Sequence, residues 1–245
     1  MPVDPAGRQL DYHRLATEKD LNMAIAVTLA QIDTLAPGCS AVYRAAFQTG
    51  ESVLAHYGIA SAPLRVVHFM AQVLHESGAL TLHYENLRYS ARRIVQVWPR
   101  RFKPLGPLDP AVYAYQPEKL ANAVYGGRMG NTSLGDGYLY RGRGLLQLTG
   151  KDSYARATTL LQKAVSNAPD LVRKPDAVVS AHWSLHVAAA EWAERGCNAA
   201  ADRDDVTEVT RLINGGAIGL AERMVWTRRT AAVWPVTPAT VSGTA

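Results

Sequence analysis

The chain has 245 residues, 48% of them hydrophobic, and a net charge of +5, enough to bury one sizeable core in a single large domain or in two lobes around a cleft. Its two cysteines, Cys39 and Cys197, lie far apart; they exclude a disulfide framework and read as core fillers made in a reducing compartment. Residues 1–20 are polar and charged, and the apolar run 21–36 is interrupted by Gln31 and Asp33, which argues against both a signal peptide and a membrane span.

In chain order, residues 1–20 read as an irregular lead-in, followed by helices near 21–35 and 38–48. A helix over 62–77 is the clearest: Ser61 suits an N-cap, Pro63 a first turn, and Val66, Phe69, Met70, Val73 and Leu74 form a stripe at the helical period before Gly78 ends it. Ser90 caps a helix that stops before Trp98-Pro99. Residues 103–110, with Pro104, Gly106, Pro107 and Pro110, read as a loop, and Pro117 opens a helix to Tyr125. Seven glycines fall between Gly126 and Gly144, and Gly135-Asp136-Gly137 before Tyr138-Leu139-Tyr140 predicts a small β-hairpin. Helices follow near 151–165, 176–195, 203–213 and 218–231, and residues 234–245 form a tail. Helical patterns dominate, and no internal repeat or linker is evident.

Chemistry concentrates at Glu76 and Glu85. On a helical wheel Glu76 falls under Phe69 and beside Val73, on the shoulder of the apolar stripe, where partial desolvation raises a carboxyl pKa toward the range of a general acid. Glu85 lies nine residues on, across the Gly78 break, in the polar run His83-Tyr84-Glu85-Asn86, and is expected to be solvated and ionised. Two carboxyl groups in unlike environments can run acid and base chemistry on a glycosidic bond. The alternative is a helix-end solvent residue and a loop charge.

Other patterns carry less. His182-Trp183-Ser184-Leu185-His186 spaces two imidazoles as a zinc protease does, but Trp183 stands where the Glu is needed, so no metal site is expected. Gly142-Arg143-Gly144-Leu145-Leu146-Gln147 imitates part of a dinucleotide loop but has Gln147 for the third glycine, and there is no Walker sequence, so no cofactor is implied. Trp98, Tyr89, Tyr125, Tyr138 and Tyr140 can stack on sugar faces or fill the core. Residues 86–151 hold eleven Lys or Arg against three acids, a net +8 that leaves the rest of the chain at −3. Such a segment attracts an anionic polymer. No nucleic-acid-binding module accompanies it, so nucleic acid is not expected as a partner.

Five blocks, in order, carry a resemblance: Ala71-Gln72-Val73-Leu74-His75-Glu76-Ser77-Gly78; Glu85-Asn86-Leu87-Arg88-Tyr89-Ser90-Ala91; Asn122 to Asn131; Gly135 to Gly150, with Arg141-Gly142-Arg143-Gly144-Leu145-Leu146-Gln147-Leu148-Thr149; and Ile213-Asn214-Gly215-Gly216 with Ala221-Glu222-Arg223. Together they resemble glycoside hydrolase family 19, the chitinases and the lysozyme-like endolysins of phages and bacteria, over roughly residues 20–233. The resemblance implies a mainly α, lysozyme-like two-lobed helical domain with a central cleft, spanning residues 21–233. It further implies an inverting glycosidase with Glu76 as acid, Glu85 as base and Thr149 holding the water, and with Gln147, Asn214 and Arg223 lining the cleft or its charge network; His75 can orient the acid. Inversion needs carboxyl groups about 6.5–9.5 Å apart. Plant members usually carry an acid just after Asn-Gly-Gly, whereas this chain has Ala217-Ile218, so the resemblance supplies no partner for Arg223. The missing acid and missing disulfides point to the phage and bacterial branch. The expected substrate is bacterial peptidoglycan, whose peptide stems are acidic, with neutral chitin or a non-catalytic glycan-binding role as alternatives. A zinc-dependent wall amidase is a further lytic class. A monomer made in the cytoplasm, released to the wall by a holin-like partner and not inserted in the membrane, completes the expectation.

Overall fold

The computed structural model describes residues 24–235; the lead-in 1–20, the predicted helical start at 21–23 and most of the tail lie outside the described residues. The fold is helical: α1 Leu29–Leu35, α2 Ala41–Gln48, α3 Glu51–His56, α4 Pro63–Glu76, α5 Ala91–Val97, α6 Pro117–Tyr125, α7 Asp136–Leu139, α8 Lys151–Ala164, α9 Ser184–Glu194, α10 Cys197–Ala201, α11 Val206–Asn214 and α12 Leu220–Val233, with 3₁₀ turns at Ile59–Ser61, Pro110–Val112 and Pro175–Val179. Local chemistry sets many of the boundaries. Thr28 and Gln31 form a capping box on α1, and the hydroxyls of Ser40 and Ser90 accept from the third residues of α2 and α5. Pro63 and Pro117 occupy first-turn positions, where the missing N–H costs nothing. Ser61 is not the cap of α4; it belongs to the preceding 3₁₀ turn, and extended Ala62 stands at the N-cap.

The centre of the molecule is α4. All nine residues from Val66 to Leu74 are buried, so the helix is covered on every side, well beyond the single stripe read from the period. Its most extensive partner is α12, and α10, α11 and the 59–61 turn also pack on it. Around it a main cluster includes Ile32, Tyr43, Phe47, Leu54, Phe69, Met70, Leu74 and Trp192. Trp234, assigned by sequence to the tail, is 3% exposed in this cluster, and its indole N–H donates to the Ala26 carbonyl at 2.9 Å. A second cluster, with Tyr140, Leu148, Tyr154, Leu161, Leu171 and Val187, joins α8 and α9. A third, with Leu87, Ile94, Phe102, Leu120, Ala121 and Val124, gives residues 87–138 a core of their own. Residues 87–138 thus form a lobe of their own, and residues 81–86 lead to it from the main cluster.

The predicted hairpin at 135–140 is not formed. Residues 136–139 make the short helix α7, packed on α6, because an alternative register satisfies them: the Tyr138 N–H donates to Asn122 Oδ1 at 2.9 Å. The extended pairing lies just beyond, in three short segments: isolated antiparallel bridges join Tyr84 to Arg143 and Arg143 to Leu148. The predicted helix at 176–195 is two elements, the 175–179 turn and α9.

Gly137 marks why α7 sits so close to α6. A Cβ there would lie 2.7 Å from the Ala121 carbonyl oxygen and 2.8 Å from the Asn122 Cα, backbone atoms that cannot swing aside. Gly137→Ala is expected to lower unfolding free energy by about 1–3 kcal/mol, as overpacking does. Chemical denaturation checks it; an unchanged midpoint would show that the two helices are not in this contact.

Candidate active site

The helix α4 ends in a chain reversal that Ser77 builds. Its buried hydroxyl donates to the Val73 carbonyl at 2.6 Å and accepts from the Leu80 N–H at 3.0 Å. Gly78, Ala79 and Leu80 follow with φ of 55°, 54° and 63°, three successive left-handed residues. The reversed chain then docks on α2: the Ser40 N–H donates to the Leu80 carbonyl at 3.0 Å, the Tyr43 hydroxyl to the Leu82 carbonyl at 3.1 Å, and the His83 Nε2 lies 2.8 Å from the Ser40 hydroxyl. This delivers Glu85 to the 142–149 loop.

There Glu85 is held through backbone and side chain together. Its N–H donates to the Gly142 carbonyl at 3.0 Å, its Oε1 accepts from the Gly142 N–H at 2.6 Å, and its Oε2 accepts from the Tyr125 hydroxyl at 2.7 Å. The freely solvated carboxylate expected from the polar run is therefore half-buried and fixed. Burial first, and then the Glu85 charge, push the Tyr125 hydroxyl upward, so it remains a proton donor across the working pH range. Sequence reading raised Tyr125 as a stacking aromatic; its role as a donor to Glu85 had no local signal, because the two are 40 residues apart.

Gly142 is the point where three of the candidate residues meet. A Cβ on it would lie 3.1 Å from Gln147 Oε1, 3.2 Å from Thr149 Oγ1 and 3.3 Å from Glu85 Cβ. Gln147, with φ of 50°, turns the loop and donates from Nε2 to the Gly144 carbonyl at 3.0 Å; the Thr149 hydroxyl donates to the Gln147 carbonyl at 2.9 Å. The loop is anchored by Arg143, 2% exposed, which donates from Nη1 to the Leu139 carbonyl and the Tyr154 hydroxyl and from Nε to Asp176. Sequence reading treated Arg143 only as part of a glycine-rich run.

Glu76 belongs to a second group. Arg223, 2% exposed on α12, donates from Nη2 to Glu76 Oε1 and from Nη1 to Gln72 Oε1, one turn earlier on α4. The partner left open by Ala217-Ile218 is thus Glu76 itself, with Gln72. Glu76 accordingly faces a buried cation as well as the apolar stripe, and 18% of its side chain remains exposed. Beside it, burial and then the Arg223 charge hold the His75 imidazole below its usual range, so it is neutral near pH 7. Gly219 passes directly over that ring: a Cβ there would lie 2.9 Å from His75 Nε2. Asn214, exposed at the end of α11, donates to the Ile218 carbonyl at 3.0 Å and so closes the loop that carries Gly219.

Two cavities adjoin these groups. One, of about 240 Å³, is lined by residues 84–88 with Pro117, Tyr138 and Arg141, and includes Glu85. The other, of about 190 Å³, lies behind the loop among Gln147, Thr149, Ser184, Glu191, Arg195 and Ile213. In it Glu191, 3% exposed, is paired with Arg156 and Arg195 at 2.9 and 3.0 Å, a buried ionic cluster that the sequence reading missed. His182 and His186, the zinc-like pair, sit 6.1 Å apart by ring centroid, and burial pushes His186 down to about 4. Among the described residues no group of three or more His, Cys, Asp or Glu is placed to hold a metal ion. No helix among them is long and apolar enough to cross a membrane.

No protein-family profile matches the chain. A Haemophilus influenzae protein described as glycosyl hydrolase family 19 domain-containing is 39% identical over 157 residues, which cover 63% of this chain and 72% of that protein. The fold is similar to that of chitinase C from Streptomyces griseus, with a TM-score of 0.53 and 18% identity over 86% of this chain and 93% of that one. It is similar also to a bacterial family 19 chitinase, with a TM-score of 0.52 and 19% identity over 86% and 96% of the two chains. The long match to the Haemophilus protein, on a helical fold shared with chitinases, establishes that the chain belongs to glycosyl hydrolase family 19 and is a glycosidase.

Proposed function

We propose that this glycosidase cleaves the β-1,4 glycosidic bonds of bacterial peptidoglycan by single displacement with inversion. Glu76 is the general acid. With Oε1 engaged by Arg223, Oε2 is the atom left to carry the proton that passes to the departing sugar oxygen. Glu85 is the base: each of its oxygens accepts one protein hydrogen bond and keeps a second lone pair for a water, whose proton it removes as the water attacks the anomeric carbon. Thr149, whose hydroxyl proton is directed to the Gln147 carbonyl, keeps its lone pairs to accept from that same water. Gln147, Asn214, Arg223 and His75 shape the cleft and orient the acid. The observation that carries the mechanism is the convergence of Glu85, Thr149 and Gln147 on Gly142, where only a hydrogen fits comfortably.

The choice of substrate rests on charge. Seven of the eleven basic residues between 86 and 151 are exposed, namely Arg88, Arg92, Arg93, Arg100, Lys103, Lys119 and Arg128, against the exposed acids Asp109 and Glu118, so this segment presents a net +5 at the surface, on and around the lobe that borders Glu85. A surface of this sign concentrates an acidic polymer and does nothing for a neutral one. Chitin is the second reading, favoured by the fold neighbours, which are chitinases.

Product analysis on purified peptidoglycan beside colloidal chitin tests the assignment: new reducing ends are expected from peptidoglycan, and their absence there with release from chitin would transfer the activity to the second reading. In Glu76→Gln, a folded protein is expected to lose about 10²- to 10⁴-fold in turnover, the usual worth of general acid catalysis; wild-type turnover would remove Glu76 from the role. Glu85→Gln is expected to lose as much and to be rescued by azide, giving a glycosyl azide of inverted configuration, whereas a retained product would contradict single displacement. Wall lysis is expected to fall as salt rises, because exposed charges are screened over about 8 Å at physiological ionic strength, while cleavage of neutral chitin oligomers changes little. Equal salt sensitivity on both substrates would remove the electrostatic argument.

A further inference from the structure

The cavity beside Glu85 is lined by two arginines, Arg88 and Arg141, that form no ion pair among the described residues. Arg141 is restrained by contacts that do not neutralise it. Its guanidinium lies 3.9 Å from the ring centroid of Tyr138 and 4.8 Å from that of Tyr84, and Nη1 donates to the Tyr138 carbonyl at 2.8 Å. These contacts restrain the group and leave most of its five N–H donors available. Arg88 stands exposed at the same cavity. Neither guanidinium is paired with a carboxylate among the described residues. Glu85, the acid in the lining, is engaged by Gly142 and Tyr125 instead. Two arginines, one of them held against two tyrosine rings, therefore line a space of about 240 Å³ together with Glu85, and neither is ion-paired to it. A guanidinium fork matches the two oxygens of a carboxylate, as it does those of a phosphate, and of the two it is the carboxylate that a peptidoglycan strand carries on its peptide stems.

We propose that Arg141 and Arg88 form a carboxylate-binding subsite beside Glu85, which takes an acidic substituent on the sugar ring next to the scissile bond. The inference rests on the peptidoglycan reading, in which alternate sugars carry a lactyl ether extended by an acidic peptide, and it adds where on the enzyme that difference from chitin is read. Arg141 supplies the fixed geometry. Arg88 adds charge from the exposed rim. Because the subsite borders the proposed base, it selects for a substituted ring at the reacting position, which a remote basic surface does not do.

The test separates binding from cleavage. Calorimetric titration of the full-length Glu76→Gln protein is made with a peptidoglycan-derived tetrasaccharide carrying free carboxyl groups and with the same tetrasaccharide amidated. The free acid is expected to bind about tenfold tighter than the amide, the worth of a charge-assisted hydrogen-bonded pair at a partly exposed site. The difference is expected to vanish in Arg88→Gln/Arg141→Gln and to return in part in Arg141→Lys, which keeps the charge without the fork. Equal affinity for acid and amide before any arginine is changed would overturn the proposal, and so would a difference that survives the double substitution. The first comparison holds even if the double variant does not fold. Failure of the peptidoglycan reading appears elsewhere, as an absence of new reducing ends when the wild-type enzyme meets peptidoglycan, so the two are told apart.

Discussion

The chain reversal directly after Glu76 is the constraint on which the site depends. An α-helix that simply continued or frayed there would carry the following residues away from the 142–149 loop, and Glu85 would have nothing to bind. Two non-glycine residues, Ala79 and Leu80, adopt left-handed backbone to make the turn, at roughly 1–2 kcal/mol each. The structure offsets this locally. Leu80 is fully buried, worth about 1.5–3 kcal/mol, and the Ser77 hydroxyl accepts from the Leu80 N–H, which the turn would otherwise orphan. Strain is thus retained beside the candidate acid because packing over-determines the conformation, as is usual for functional backbone outliers.

The same economy governs the buried cations. Arg223 and Arg143 are each 2% exposed, and burying a guanidinium is costly unless its charge is paired and hydrogen-bonded. Arg223 is met at its two terminal nitrogens by Gln72 and Glu76 from successive turns of α4, while its buried Nε has no partner, and these bonds tie α12 to the candidate acid. Arg143 is met by Leu139, Tyr154 and Asp176 from three different elements, so it clamps the loop that presents Gln147 and Thr149. Removing the partner of such a charge typically costs about 3–5 kcal/mol, more than the pair itself contributes, which explains why these groups serve geometry better than stability.

Fold and chemistry separate cleanly in this protein. Helical packing around α4 is shared with chitinases at under 20% identity, so many sequences reach the same scaffold. The scaffold gives two carboxylates unlike surroundings, one beside a buried cation and one beside a tyrosine and a glycine N–H. In the proposed function, substrate choice rests on the surfaces around Glu85, the basic lobe of residues 87–138 and Arg141.

What the sequence determined by itself was whatever is local. The helices α4, α5, α6 and α8 fall within a residue or so of their predicted bounds, because an apolar period, Ser90 as a cap and Pro63 and Pro117 in first turns act over a few residues. Glu76 and Glu85 could also be singled out as candidates, as two carboxyl groups across a glycine break within five ordered blocks. Tertiary structure decided everything that depends on partners distant in sequence. Residues 135–140 carry glycines and aromatics that suit a hairpin, yet contact with α6 makes them helical. The partners of Arg223 lie 147 and 151 residues away, and the donor to Glu85 lies 40 away. Trp234 reads as tail until the backbone of Ala26 is brought to it. Periodicity reports which face of an element is apolar, but it holds no information about which other element will cover that face, and the electrostatic environment of each carboxylate is set by that second fact.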